Sequence, residues 1–205
     1  WQNNKTDLLF NGNHETNNID FDDYLKKLGY SFKNNSNELG GYASLNNKKT
    51  SLIMDVGSSP DKKFSSNYQA GALSFEIISN GKKLICNSGY FQNHNHQLNQ
   101  LSKSSAIHST LILDDRSSCK FIKKKNESSK IHNGLKILKK NIVFEKNYWK
   151  INAAHDGYFK QYGIIHEREI EFYPEQIKFV GHDKIIFKNG IKNLKFEIRF
   201  HLEPN

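Results

Sequence analysis

From Gly41 onward the chain runs in short segments where apolar and polar residues alternate, each closed by turn-forming residues. "GYASL" and "TSLIMDVG" flank "NNKK"; "LSFEII" and "KKLICNSG" flank Ser79-Asn80-Gly81. Asn-Gly tolerates positive φ at both positions and is a strong signal for a two-residue hairpin. "HSTLILDD" alternates, and "YWKINAAHDGY" leads to "HEREIEFY" and "QIKFVG", which sit on either side of Pro174-Glu175. The last stretch, "KIIFKNGIKNLKFEIRFHL", holds a second Asn-Gly at Asn189-Gly190. Period-2 segments of this length, with no sustained helical period, predict an all-β fold of stacked antiparallel β-sheets, a β-sandwich. In one such strand Leu73, Phe75 and Ile77 would face the core, with Ser74 and Glu76 on the opposite face.

The first 39 residues have a different pattern, polar and asparagine-rich. One short amphipathic helix is predicted there, near Phe21 to Leu28, with Asp20 as N-cap. The division expected is 1–39 as a linker or junction and 40–205 as the β-sandwich domain. The sequence opens on Trp1 with no leader pattern and closes on a strand-like "RFHLEPN", the pattern expected of a domain truncated from a larger chain. No apolar run approaches the roughly 20 residues that span a bilayer, so no membrane span is expected.

Charge adds a partner class. The formal net charge is +9, but only Arg116, Arg168 and Arg199 are arginines. Arginine is the bidentate reader of phosphate, so its scarcity argues against nucleic acid as a partner. Coulombic attraction does not distinguish phosphate from carboxylate or sulfate, and an acidic polysaccharide suits this charge equally well. The densest basic run, "KFIKKK" at 120–125, reads as a solvated strand edge or loop. Cys86 and Cys119 are far apart and fit either two buried thiols or a pair in an oxidising compartment.

Histidines carry most of the candidate chemistry. His94 and His96 would share a face if extended, a workable metal geometry, although their Asn- and Gln-rich surroundings favour a solvated loop. His155-Asp156 precedes Gly157-Tyr158. If this stretch is a loop, His155 and Tyr158 could line a cleft, with Tyr158 as a candidate acid; alternatively Asp-Gly makes a turn and nothing more.

In order and wording, these segments resemble a known family. "GYASL…TSLIMDVGSSP…AGALSFEIISNGKKLICNSG…SSAIHSTLIL", then "AAHDGYFKQYGIIHEREIEF" and "FEIRFHLEP", are similar to the central β-sandwich of the heparinase II/III-like polysaccharide lyases. The similarity runs from about Gly41 to Pro204, and "LLFNG" resembles the junction that follows the family's helical toroid. The resemblance implies the β-domain of a lyase that cleaves acidic, uronate-containing glycans by β-elimination. It further implies an N-terminal α/α-toroid domain in the same protein, no turnover by the β-domain alone, and a periplasmic setting. The catalytic candidates are His155 and Tyr158, read from the loop described above, and the substrate-binding positions the resemblance points to are Lys103, where Arg is usual, and Arg168. A structural zinc in the family would map to Gln69, Asn87 and His108. Gln69 stands where His is expected and Asn67 where some lyases carry another, and neutral amides are poor zinc ligands, so zinc is expected to bind weakly or not at all. His108 also reads as a buried histidine bonded to backbone. A non-catalytic sandwich that binds acidic glycans or supports a neighbouring domain remains the alternative.

Overall fold

The computed structural model describes residues 2–3, 6–12, 19–30, 36–125, 127–188, 190 and 193–204. Two small strands, β1 (Gln2–Asn3) and β2 (Thr6–Asp7), pair with each other, and helix α1 spans Ile19–Lys27. Asp20 falls inside that helix instead of capping it. A five-stranded antiparallel sheet follows in simple chain order: β3 (Glu38–Leu39), β4 (Tyr42–Asn46), β5 (Thr50–Asp55), β6 (Phe75–Ser79) and β7 (Lys82–Ile85). The β6–β7 turn is built as its sequence predicts, with Asn80 at φ 50° and Gly81 at φ 76°. Asn189 of the second Asn-Gly pair lies outside the described residues.

Strands β8 (Leu111–Leu113), β9 (Lys120–Ile122) and β10 (Lys130–Asn133) are short. The "HSTLILDD" segment yields only three strand residues, because Asp114 and Asp115 turn into positive φ at 47° and 56°. A four-stranded antiparallel sheet is formed by β11 (Ile137–Phe144), β12 (Trp149–His155), β13 (Ile164–Tyr173) and β14 (Lys178–Phe187). The two apolar runs on either side of Gly181 join into one strand, since Gly181 keeps its place in the ladder opposite Ile170. Strand β15 (Phe196–Ile198) returns to pair with β8, and β9 pairs with β10.

The two large sheets pack face to face. Leu45, Leu52, Met54, Phe75 and Ile77 from one layer meet Ile151, Ala153, Ile170 and Phe172 from the other in a single core. Leu73, Phe75 and Ile77 share this core as their alternation predicts. The opposite face of the five-stranded sheet is not open to solvent. Leu8 and Phe10 lie across it against Ile53 and Ile78, so β5 is buried at every position. A strand buried on both faces loses its alternation, which accounts for the continuous apolar run "LIM" in β5. A third cluster, Tyr68, Ala70, Ala72, Cys119, Ile131 and Leu135, supports the loops at one end. Both cysteines are buried free thiols. No helix among the described residues is long and apolar enough to cross a membrane.

Candidate functional site

The segments that carry Gln69, Asn87 and His108 meet at one end of the sandwich. Gln69 Nε2 donates to Gly89 O and Ser102 O, and the Ser109 N–H donates to Asn87 Oδ1 at 3.3 Å. The His108 ring lies against Gly71, where an added Cβ would come within 3.1 Å of the imidazole. The three side chains are nevertheless committed in different directions. Gln69 stitches the N-terminal segment down: its Oε1 accepts from Gly12 N–H at 3.0 Å, and its own N–H donates to Asn11 Oδ1 at 3.1 Å. Asn87 bonds Glu76, whose Oε1 accepts from Asn87 N, Asn87 Nδ2 and Leu9 N. His108 is buried with neither ring nitrogen bonded to a protein group, and burial, with His201 nearby, lowers its pKa to about 3. Glu76 Oε2 and His201 Nε2 are likewise buried without a partner. Burial raises the Glu76 carboxyl to about 7, against the pull of its amide donors.

These residues do not fit a zinc ion as they stand. Two of the three family positions are neutral amides whose oxygens already accept hydrogen bonds, and only His108 offers an uncommitted nitrogen. Near the same loops, His96 caps helix α2 (Gln97–Leu101), its Nδ1 accepting from Leu98 N–H.

A second group of titratable residues lies between the sheets. His155 and His166 face each other across β12 and β13, and Arg168 faces Asp183 across β13 and β14. The Gly157 N–H donates to His155 Nδ1 at 3.0 Å, His155 Nε2 lies 3.3 Å from His166 Nδ1, and His166 Nε2 lies 2.6 Å from Asp183 Oδ1. One proton assignment satisfies this chain: both histidines neutral, each carrying its proton on Nε2 and pointing it toward Asp183. Burial lowers the pKa of both rings, in keeping with that assignment. Arg168 grips both oxygens of Asp183, at 2.8 and 3.0 Å, and reaches across the layers to Leu73 O and Ser109 O. Burial pushes the Asp183 carboxyl up, but the His166 hydrogen bond and the Arg168 charge outweigh it and hold the group at about 2.

The four side chains suggested for catalysis and substrate binding are thus placed inside. His155 belongs to the relay just described. Tyr158 is 1% exposed and donates to Leu111 O at 2.7 Å, with Arg116 O at 3.3 Å. Asp156 faces away from His155 and accepts from Lys136 N–H at 2.6 Å. Arg168 is the inter-sheet tie, and Lys103 is 1% exposed, its ammonium bonded to Ser66 O and, at 2.6 Å, to Ser129 O. Desolvation lowers Lys103 to about 8.

A cavity of about 260 Å³ opens beside these loops, lined by Asn11, Tyr42, Asp55, Phe64, Asn67 and Tyr68 among others. Asn11 Nδ2 donates to Tyr42 Oη at 2.8 Å and to Asp55 Oδ2 at 3.1 Å, while the Gly57 N–H donates to Asp55 Oδ1. With only neutral donors around it, burial raises the Asp55 carboxyl to about 7. Asn67 and Phe64 are exposed at the rim.

A sequence profile of the heparinase II/III-like C-terminal domain matches residues 33–205. The chain belongs to the heparinase II/III-like C-terminal family. The fold agrees: the crystal structure of a heparinase III superposes with a TM-score of 0.63 at 18% identity, covering 90% of this chain and 31% of that one. The heparan sulfate lyase HepC from Pedobacter heparinus gives 0.62 at 16% identity, covering 89% of this chain and 30% of that protein. The chain therefore spans less than a third of either structure. No curated protein sequence matches significantly.

Within the heparinase-like sandwich, Glu76, Asp55 and Asp183 are not among the site residues the sequence suggested, Glu76 being placed there only on the face opposite the core. Glu76 carries a readable signal, an acid inside the apolar run "LSFEII". Asp183 carries none, because its partners come from the β13–β14 register and not from neighbouring residues.

Proposed function

We propose that this chain is the β-domain of a lyase that cleaves acidic, uronate-containing polysaccharide by β-elimination, working beside an α/α-toroid domain of the same protein. The observation that carries the reading is the family match over residues 33–205, joined to the likeness in fold to a heparan sulfate lyase. The reaction removes the weakly acidic proton α to the uronate carboxylate and expels the 4-oxygen. It requires a neutralised carboxylate, a base and an acid. Among the side chains with access to a glycan are those at the mouth of the Asn11–Asp55 cavity, above all Asn67, whose amide can hydrogen-bond a carboxylate or hydroxyl. Burial raises the Asp55 carboxyl, which lines the same cavity, to about 7, so that it is part protonated near neutral pH. His155, Tyr158, Arg168 and Lys103 serve as positioning residues that hold the loops, and the base is supplied from the toroid side.

The test is the full-length gene product incubated with heparan, chondroitin and alginate while the absorbance of unsaturated uronate is followed. Absorbance should rise with at least one of them. A flat trace with all three removes the catalytic reading.

One observation favours the alternative of a non-catalytic glycan-binding or supporting sandwich. The Gln69 amide is wholly spent on tying down the N-terminal segment and two loop carbonyls. Gln69→His, measured for zinc uptake, separates the two. A gain of about one zinc per chain indicates an active-type scaffold one substitution away from its metal, and no gain supports the alternative.

A further inference from the structure

The basic run 120–125 and the short 3₁₀ turn Lys62–Phe64 come together on the surface. Lys62, Lys63, Lys124 and Lys130 line one groove of about 350 Å³ together with the exposed Ile122, and Glu127 is the one acid lining it among the described residues. None of the four lysines has a carboxylate at ion-pair distance among the described residues. Lys63 lies over the exposed Phe64 ring, 4.7 Å from its centroid. The turn is a shared wall, with Phe64 lining the Asn11–Asp55 cavity on one side and Lys62 and Lys63 lining the groove on the other.

The groove is braced from below. The Ser65 Oγ accepts from Ile131 N–H at 3.0 Å, joining the turn to strand β10. The buried Lys103 ammonium bonds Ser66 O beside the turn and Ser129 O beside β10, so one cation fastens both walls. Its stem passes near Tyr90 and Phe121, with the ammonium 5.8 and 5.4 Å from the ring centroids. Braced walls reduce the ordering cost of binding. Lysines with apolar stems beside an exposed apolar side chain offer charge to anionic groups and a surface to the C–H faces of sugar rings.

We propose that this lysine groove is an anionic-glycan binding site outside the reaction cleft, one that receives the sulfate or carboxylate groups of a polysaccharide strand running over Phe64 from the cavity. The proposal rests on the acidic-glycan reading given above. Four lysines against one acid give the groove a charge complementary to a polyanion, and the turn Lys62–Phe64 lines both the groove and the cavity. Ammonium groups act as point charges and read density of charge more than its geometry, so sulfate and carboxylate strands should both bind, the more highly charged one more tightly.

The probes are a sulfated heparan octasaccharide, an unsulfated polyuronate octasaccharide and a single-stranded deoxyoligonucleotide of equal length, titrated calorimetrically into the 205-residue chain at several salt concentrations. A variant with Lys62, Lys63, Lys124 and Lys130 all changed to Ser should bind the heparan octasaccharide about tenfold or more weakly. Its slope of log affinity against log salt should shrink by roughly 3, at 0.7–0.9 per lost contact. A control variant with Lys82, Lys146, Lys160 and Lys188 changed to Ser loses the same charge elsewhere and should stay within about twofold. Unchanged thermal unfolding confirms that both variants fold. Equal losses in the two variants, or no measurable glycan binding by the unaltered chain, would overturn the proposal. Tighter groove-dependent binding of the deoxyoligonucleotide than of either glycan would also overturn it, in favour of a nucleic-acid surface. Glycan binding here combined with no lyase product from the full-length protein would sink the catalytic reading alone.

Discussion

Two groups of buried polar residues lie between and beside the sheets, and they are built on opposite plans. In the relay of His155, His166, Asp183 and Arg168, every hydrogen-bonding position of the two rings and of the Asp183 carboxylate is matched, and the carboxylate has a guanidinium beside it. In the Glu76, Asn87, His108 and His201 group, one carboxylate oxygen and three ring nitrogens are buried without a hydrogen-bond partner among the described residues, and burial of the carboxylate outweighs its amide donors and the Lys83 charge. The electrostatics follow the plan: Asp183 is held at about 2 and Glu76 rises to about 7. A matched group is a structural tie, and its cost of burial is offset on the spot. An unmatched one has a burial cost that this chain alone does not offset. His155 and Arg168 are parts of a structural tie, and Gln69 is likewise spent on holding the N-terminal segment, whereas the His108 ring makes no hydrogen bond to a protein group among the described residues.

The largest effect should come from breaking the matched side. Arg168→Met leaves Asp183 charged and without its guanidinium, and removes the ties to Leu73 O and Ser109 O. A loss of about 3–5 kcal/mol in urea denaturation is expected.

The pH dependence sharpens the contrast. In the fold, Asp55 and Glu76 keep their protons up to about pH 7, whereas the ordinary carboxyl values are 3.8 and 4.5. Between those limits the unfolded chain binds fewer protons than the folded one, so stability should fall as pH rises from about 4.5 to about 7. The effect is on the order of 3 kcal/mol for each group. Asp183 acts in the opposite sense. Its folded value of about 2 lies below 3.8, so its contribution is in place above 3.8 and lost as pH falls through about 2. Glu76→Gln keeps an oxygen for the three amide donors and should make the fall toward pH 7 visibly shallower.

A smaller loss is expected where the relay meets its turn. A Cβ at Gly157 would sit 2.6 Å from Ser118 O and 3.0 Å from His155 Nδ1. Gly157→Ala should cost about 1–3 kcal/mol by overpacking.

Much of the sandwich was legible because its strands follow period 2 and its turns carry their own residues. Asn80-Gly81 and Pro174-Glu175 fall at the hairpins where they were predicted. Strand β11 was harder to read: its lysines sit among apolar residues, "ILKKNIVF", and most of its positions are exposed or half-buried. Burial of Leu8 and Phe10 on the second face of the sheet was hidden too, because a polar stretch around "LLF" gives no sign of what it covers. At the site, the sequence pointed to the loops that meet around Gln69, Asn87 and His108, yet not to the direction each side chain takes. That direction is set by long-range partners, Gly12 for Gln69 and Glu76 for Asn87. The inward placement of Tyr158 and Lys103 follows from the backbone carbonyls they meet, which no local pattern announces.

The most direct measurement makes one substitution at the two kinds of buried histidine and compares folding free energies by urea denaturation at pH 7. His166→Leu takes a partner from both His155 and Asp183 and should cost about 1–3 kcal/mol, whereas His108→Leu removes a ring with no protein partner and should change stability by less than about 1 kcal/mol in either direction. Equal losses at the two positions, or a larger loss at His108, would contradict the division between a matched structural tie and a buried ring without hydrogen bonds to the protein.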